Sequence, residues 1–319
     1  MRHDTVLLIH MGGLGDMCLS ESTFLSLSKH FQKNISALGY PRFFKFFQGY
    51  FQTIYSIESA KWLYLFSDYP SETTWKRIVF IGKDRNSELR RRWQAISEEE
   101  LIFIDMYPGS MNDLVMDDRP THSGTKTMDD HSSRITRDSL GRFENASLVS
   151  RPSSVAAAIH IEDYQLIQLE HYSIRPVKKE ITTRPRNRVI LYPEIGVTKS
   201  KWHHENFIEI YHSLKKRGVE AYILESLGLD LAIQDKISIE DLVAVQTFFY
   251  DGGIFVSNDS GMAHFAGVCG LFTITIFSDF DSSIWHPRGG NISLRQGIDH
   301  VDVPELEALI MRVIDHGKG

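Results

Sequence analysis

The sequence is poor in cysteine and has no long apolar run. It contains two cysteines in 319 residues, and neither Cys18 nor Cys269 stands in a ligand-like spacing, which excludes a disulfide scaffold and a cysteine-rich metal site. No stretch approaches the roughly 18 consecutive apolar residues that a membrane-spanning helix needs. The apolar run from Val6 to Ile9 is also too short for the core of a signal peptide. We therefore expect a cytoplasmic protein.

A large excess of positive charge is also absent. Lysine and arginine together number 35 against 41 acidic residues, giving a formal net charge of −6. This balance argues against nucleic acid as a partner and against bulk coating of an anionic membrane, although it leaves room for a local basic patch. At 42% hydrophobic and 24% charged residues, the chain has the composition of a globular protein of about two domains.

No metal-ligand motif is present. The 14 histidines are scattered, and the sequence has no H-E-x-x-H. We therefore predict no metal and no bound cofactor.

Short apolar runs alternate with helical periodicities, which is typical of an α/β fold. Two sets of predicted strands follow from this pattern, at 6–9, 35–38, 53–57, 78–81 and 101–104, then at 189–192, 221–224, 254–257 and 272–277. Between the sets, residues 109–154 are polar and predict a mobile excursion, and 175–188 is typical of an interdomain linker. The sequence thus predicts an amino-terminal domain over 1–175 and a carboxyl-terminal domain over 176–319, facing a central cleft.

The first segment with chemical potential follows the first strand. Gly13 and Gly15 allow another molecule to approach the backbone closely at a helix start. A dinucleotide fingerprint is excluded because Cys18 stands where the third glycine belongs. Asp16 lies at the start of the predicted helix, where its carboxylate suits either a general base facing the cleft or a plain helix cap.

Two further segments could bind a phosphate group. Thr198, Lys199 and Lys201 suit a diphosphate, because ammonium groups pair with its oxygens, but the pattern in isolation favours a solvated lysine pair. The other segment follows the predicted strand 254–257 and opens a helix, where backbone N–H groups and the helix dipole favour a phosphate. Its polar residues are Asp259, Ser260, Gly261 and His264. The competing interpretation is a capped helix with a half-buried histidine.

An acidic residue, Glu225, follows the predicted strand 221–224. A carboxylate at this position can accept hydrogen bonds from the two hydroxyls of a ribose. It is equally well explained as an exposed glutamate. The aromatic stretch Phe43–Phe51 predicts a buried helix or, alternatively, a surface that touches lipid.

Together these segments resemble glycosyltransferase family 9, the bacterial heptosyltransferases of lipopolysaccharide core synthesis. The resemblance rests on the run Gly13 to Asp16, on Pro193 to Trp202, and on the block from Val256 to His264 followed by Gly270. It implies a GT-B fold with two Rossmann-like domains, and inverting transfer without a metal. It also implies a nucleotide-sugar donor, a lipid-anchored saccharide acceptor, and peripheral contact with the inner face of the inner membrane.

The resemblance assigns roles to residues as well. Asp16 becomes the base that deprotonates the acceptor, in a loop with Gly13 and Gly15. The donor side comprises Thr198, Lys199, Lys201, Glu225, Asp259, Ser260, Gly261 and His264. The family's lysine before tryptophan falls on Ser200, so the diphosphate role remains open between Lys199 and Lys201.

Two alternatives to an ADP-heptose transferase stay open. One is a related GT-B transferase that uses another nucleotide sugar. The other is a non-catalytic protein that binds a nucleotide sugar. The departures Ser200, Met262 and Ser278, together with the 109–154 insertion, are what keep these alternatives open.

Overall fold

The protein contains two parallel β-sheets. The structure is a computed structural model and describes residues 2–67, 72–84, 87–107, 158–193, 201–225, 233, 235–295 and 301–317. Within these ranges the first sheet has the strand order β3-β2-β1-β4-β5 and the second the order β11-β10-β9-β6-β7-β8. Their strands are β1 Arg2–His10, β2 Ile35–Gly39, β3 Thr53–Ser56, β4 Thr74–Ile81, β5 Ile102–Ile104, β6 Arg188–Tyr192, β7 Glu220–Leu224, β8 Lys236–Ile237, β9 Ile254–Asn258, β10 Phe272–Ile276 and β11 Asn291–Leu294. The predicted α/β class is confirmed.

Helices connect the strands and cover the sheets. They are α1 Leu14–Leu19, α2 Glu21–His30, α3 Pro41–Phe44, α4 Glu88–Trp93, α5 Ile161–His171, α6 His204–Lys216, α7 Leu242–Tyr250, α8 Gly261–Val268, α9 Ser282–Trp285 and α10 Val303–His316. Two 3₁₀ segments, Lys45–Tyr50 and Ala60–Leu65, complete the first half. The coil between α5 and β6 contains the predicted linker. The proposed domain boundary at 175/176 stays a prediction.

The centre of each sheet is buried on both faces. Val6, Leu7, Leu8 and Ile9 are at most 2% exposed, which is what a continuous apolar run in a parallel sheet requires. The largest apolar cluster includes side chains from both sheets and from α8. In it, the rings of Phe46 and Phe265 lie 4.8 Å apart. The two halves therefore share one core.

The aromatic stretch 43–51 packs inward. Phe44, Phe47 and Phe51 are at most 8% exposed, so the buried interpretation is confirmed for these three side chains. In the part of the chain that the structure describes, no helix combines the length and hydropathy needed to cross a membrane.

Several element boundaries differ from the sequence expectation. The helix expected over 239–249 begins only at Leu242, because Asp241 caps it by accepting the Val243 N–H at 2.9 Å. The helical spacing across residues 19–27 is divided at Ser20 into α1 and α2. The strands β8 and β11 were not predicted, since both are short edge strands without an apolar run. The excursion expected at 109–154 lies outside the described residues.

Sheet topology determines where a site can form. In the first sheet, β1 pairs with β2 on one side and β4 on the other; in the second, β6 pairs with β7 and β9. The strand order reverses at these central strands. Open parallel sheets bind ligands at the carboxyl ends of strands at such a reversal point.

Candidate functional site

A histidine that sequence reasoning gave no role organises the first turn. His10 ends β1 and is fully buried; its Nδ1 accepts the Gly12 N–H at 3.1 Å, and its Nε2 lies 3.2 Å from Ser20 Oγ. Burial lowers the pKa of His10 to about 3, so the ring is neutral. The neutral tautomer with hydrogen on Nε2 satisfies both contacts. The only sequence signal was a histidine at the end of a buried strand, directly before the glycines.

Asp16 has the position that the sequence predicted, at the start of α1. Its Oδ2 accepts the Gly13 N–H at 2.9 Å, so it does cap the helix. A Cβ added to Gly12 would lie 2.5 Å from Asp16 Cβ, so only glycine lets the loop close over this side chain. Asp16 is half-buried rather than enclosed. Capping and a role as base are therefore geometrically compatible.

The first turn lies directly against α8 of the second sheet. A Cβ added to Gly15 would lie 3.1 Å from Gly261 Cα and 3.0 Å from His264 Cδ2. A Cβ on Gly261 would in turn lie 3.2 Å from the Gly15 nitrogen. The turn that contains Asp16 and the start of α8 thus contact each other at Gly15 and Gly261. This contact brings the Asp16 turn next to His264.

The second turn holds its polar side chains in buried positions. Asp259, Ser260 and His264 are 9%, 7% and 6% exposed. Ser260 caps α8 by accepting the Ala263 N–H at 3.3 Å, and His264 Nε2 lies 4.0 Å from Asp259 Oδ1. The amino terminus of α8, the Ser260 hydroxyl and the His264 imidazole therefore lie together, as the sequence predicted.

Asn258 links the second turn to the loop after β6. Its side-chain oxygen accepts the Trp202 N–H at 2.9 Å, and its amide nitrogen donates to the Trp202 carbonyl at 3.3 Å. These bonds place Lys201 beside the end of β9. Thr198 and Lys199 lie outside the described residues, so the choice between the two lysines stays open. Sequence reasoning gave Asn258 no role, because its partner lies 56 positions away.

Glu225 follows β7 as expected and has a partner. Its Oε1 lies 3.4 Å from Lys236 Nζ, and its backbone N–H donates to the Ile237 carbonyl at 2.8 Å. Its side chain is 35% exposed. Glu225 therefore follows the carboxyl end of β7, as Asp259 follows that of β9, and its side chain is partly exposed.

The loop after β10 packs against the first half of the protein. Trp285 contacts a cluster formed by Leu19, Ile161 and Tyr164, and its ring lies 5.9 Å from that of Tyr107. Trp285 therefore has a packing role.

A cavity of about 500 Å³ lies elsewhere. Its lining includes Arg188 and Glu220, the first residues of β6 and β7. It is therefore at the amino ends of the strands, the edge opposite to the one where open α/β sheets bind ligands. The described ranges contain no group of three or more histidine, cysteine, aspartate or glutamate side chains suited to a metal ion.

Solved structures resemble the whole chain. The glycosyl transferase family 9 protein of Veillonella parvula is 11% identical, with 99% of this chain and 98% of that chain covered and a TM-score of 0.60. The E. coli heptosyltransferase WaaC with ADP is 11% identical, with coverages of 98% and 100% and a TM-score of 0.61. The E. coli ADP-heptose lps heptosyltransferase II is 11% identical, with coverages of 99% and 100% and a TM-score of 0.62.

The chain has a GT-B fold. No protein-family profile matches the sequence, and no curated protein matches it. At this level of identity the likeness concerns architecture, since a fold hosts more than one function. The chemistry must therefore be argued from the two turns.

Proposed function

We propose that this protein is an inverting, metal-independent glycosyltransferase that moves a heptose from an ADP-heptose donor to an acceptor of the lipopolysaccharide-core type. The observation that carries the proposal is the contact between the two turns. It places a half-buried carboxylate, Asp16, beside the capped start of α8 and His264. The full-length likeness in fold to heptosyltransferases supports the same conclusion.

The two turns have complementary tasks in such a displacement. Asp16 takes the proton of the acceptor hydroxyl while that oxygen forms a bond to the anomeric carbon. The bond from the anomeric carbon to the diphosphate breaks on the opposite face, which inverts the configuration. The bonding electrons leave with ADP, where negative charge increases.

The protein stabilises that leaving group with its own donors. The N–H groups at the start of α8, the Ser260 hydroxyl, His264 and Lys201 supply hydrogen bonds and positive charge. Thr198 and Lys199, which precede Lys201 in the sequence, are assigned to the same task. Glu225 accepts the ribose hydroxyls. An ADP-linked donor is favoured because two proteins of similar fold are described with ADP or ADP-heptose.

The acceptor is a lipid-anchored saccharide, which places the reaction at the inner face of the inner membrane. Contact with the bilayer is peripheral. Flotation with vesicles that carry the acceptor, compared with vesicles that lack it, tests this point. If the protein floated equally well with vesicles that lack the acceptor, recruitment by the saccharide would be contradicted.

The donor is tested first, by thermal stabilisation with ADP-, UDP- and GDP-sugars. A ligand at about 100 times its Kd raises stability by about 2.7 kcal/mol, and we expect ADP-heptose to give the largest shift. Release of ADP upon adding an acceptor separates an enzyme from a protein that only binds. Transfer that persists in excess chelator would support independence from metal, and loss of transfer would contradict it.

The role of Asp16 is tested with a matched pair, Asp16→Ala and Asp16→Asn. Asparagine retains an oxygen that can accept the Gly13 N–H, whereas alanine removes both the cap and the base. We expect both variants to lose about 10²- to 10⁴-fold in turnover while binding the donor normally. An active Asp16→Asn protein would show that Asp16 acts only as a cap.

A further inference from the structure

One arginine bridges the two halves of the protein close to the site. Arg288 follows α9 and is 4% exposed. Its Nη1 lies 2.7 Å from Glu21 Oε2, and its Nε lies 2.6 Å from Glu162 Oε1. Its Nη2 donates to the Lys179 carbonyl at 2.8 Å and to Ser22 Oγ at 3.2 Å. All of these partners precede β6 in the chain.

The same residue touches both helices that carry the proposed chemistry. Its Nη1 donates to the Cys18 carbonyl at 3.2 Å, two positions beyond Asp16 on α1. Its own carbonyl faces α8, where a Cβ added to Gly267 would lie 2.5 Å from Arg288 O. Gly267 is three positions beyond His264. Arg288 thus lies between the two helices and is in contact with each.

The chemistry of the site requires arginine. A guanidinium has five N–H donors in a rigid plane and reaches carboxylates and carbonyls on several sides at once, whereas an ammonium is a compact point charge. The two acids on Arg288 are nearly enclosed, with side-chain exposures of 13% for Glu21 and 3% for Glu162. Lys178 adds a second cation 3.6 Å from Glu162. Lys178 also pairs with Asp163 at 2.7 Å, so the bridge belongs to a wider network of charged side chains.

We propose that Arg288 is a positioning residue that holds α1 against α8 and so sets the position of the Asp16 carboxylate relative to the donor at His264. The effect of this role on catalysis rests on the proposed function. The role of Arg288 in holding α1 against α8 does not. Arg288 itself touches neither substrate, because its side chain is buried and its two terminal nitrogens donate to groups of the protein itself.

The kinetic test uses Arg288→Lys and Arg288→Met. A misplacement of reacting groups by a fraction of an ångström lowers kcat by about tenfold or more, while the donor KM stays within about twofold. Lysine restores part of the loss because it keeps the charge. The control is Arg217→Met, which removes an arginine paired with Glu307 inside the second half and leaves the interface intact. Its kinetics should match the unmodified chain.

The geometric test does not depend on activity. Spin labels at Leu63→Cys and Glu209→Cys report on exposed positions in the two halves, and the native thiols Cys18 and Cys269 are buried. We expect one narrow distance distribution in the parent chain and in Arg217→Met. Arg288→Met should broaden or shift it.

The outcomes separate the two proposals. An unchanged distance distribution in Arg288→Met overturns the positioning role, whether or not the protein transfers sugar. A changed distribution in Arg288→Met supports positioning; if the parent chain itself shows no transfer, that result counts against the proposed function alone. If Arg288→Met does not fold, Glu162→Gln removes one charge of the bridge with little change in shape and is measured in the same way. An unchanged distribution and kcat in that variant would also refute the inference.

Discussion

The two strand-to-helix turns that meet at the site hold their polar groups differently. In the first turn, residues 10–16, a buried histidine supports the glycine backbone and the carboxylate of Asp16 stays half-buried. In the second turn, residues 258–264, Asn258, Asp259, Ser260 and His264 are all at most 9% exposed. The second turn is therefore preorganised, whereas the first presents a group that a substrate can reach.

This difference matches the demands of the proposed reaction. Charge that develops on a leaving diphosphate is best stabilised by donors that need no reorganisation. A base, by contrast, must reach the hydroxyl of a second substrate. Substitutions in each turn should therefore have different consequences.

Apart from removal of the Asp16 carboxylate, the largest effect is expected where the two turns touch. Gly15→Val places a branched side chain against Gly261 Cα and His264, which are 3.1 and 3.0 Å from an added Cβ. We expect kcat to fall about 100-fold, with about tenfold for Gly15→Ala. Steady-state kinetics checks this.

The matched control for the glycine contact is Gly49→Ala. An added Cβ at Gly49 meets no atom within 4 Å, so its kinetics should be normal. If Gly15→Val turned over as fast as the control, the contact between the turns would be irrelevant to catalysis.

The next effect concerns preorganisation of the second turn. Asn258→Ala leaves the buried N–H and carbonyl of Trp202 without their partner, which costs about 1–3 kcal/mol of stability. It also releases Lys201, so donor affinity should fall. Denaturant unfolding and donor titration measure the two effects, and Asn34→Ala, which loses an exposed bond to Asp4, is the comparison. A stable variant with normal donor affinity would show that Asn258 does not hold the loop.

The stability of the protein should depend on pH through His10, the buried histidine of the first turn. The pKa of His10 is lowered by burial to about 3 from 6.5, and that of His160 likewise to about 3. Between these values the unfolded chain binds more protons than the folded chain, so stability is present above pH 6.5 and is lost as the pH falls toward 3. Each histidine contributes about 1.4 kcal/mol per pH unit in this window.

Replacing one histidine tests this assignment. His10→Gln should lower the slope by about 1.4 kcal/mol per pH unit between pH 6 and pH 4, as measured by denaturant unfolding at each pH. His212→Gln changes an exposed ring on α6 and should leave the slope unaltered. An equal slope in His10→Gln and the parent chain would contradict the assignment to His10.

The smallest effect is expected at Glu225. Glu225→Gln and Lys236→Met both remove an ion pair of 3.4 Å, which contributes at most about 1 kcal/mol at such exposure. Only Glu225→Gln removes the ribose acceptor, so it alone should weaken donor binding, as calorimetry would show. Equal donor affinities in the two variants would remove Glu225 from the site.

The sequence predicted the α/β class and most strands because their signals are local. The runs Val6 to Ile9 and Ile254 to Val256 are apolar throughout, and turn residues follow each of them within a few positions. The edge strands β8 and β11 were not predicted, because strands of two and four residues without an apolar run have little local pattern. The start of α7 was misplaced by three residues because the cap at Asp241 was overlooked.

For the site, residue types were predictable and contacts were not. Asp16, Ser260 and His264 were identified because each follows a strand at the start of a helix. The hydrogen bonds of His10 to the first turn and of Asn258 to Trp202 were not predicted, because no short motif contains both partners of such a bond. The roles of Asp16, Lys201, Glu225 and the second turn in transfer remain predictions.

The sequence by itself determined the two sets of parallel strands and the polar residues that end them, since alternation of apolar runs with helical periods is a property of neighbouring residues. Only the tertiary structure decided that Gly15 meets Gly261, and that Arg288 reaches the Cys18 carbonyl, 270 positions away. Such contacts arise from the burial of a shared core by two separate sheets. The hydrophobic effect that drives this burial is non-directional, so no local pattern in the sequence specifies which distant residues meet.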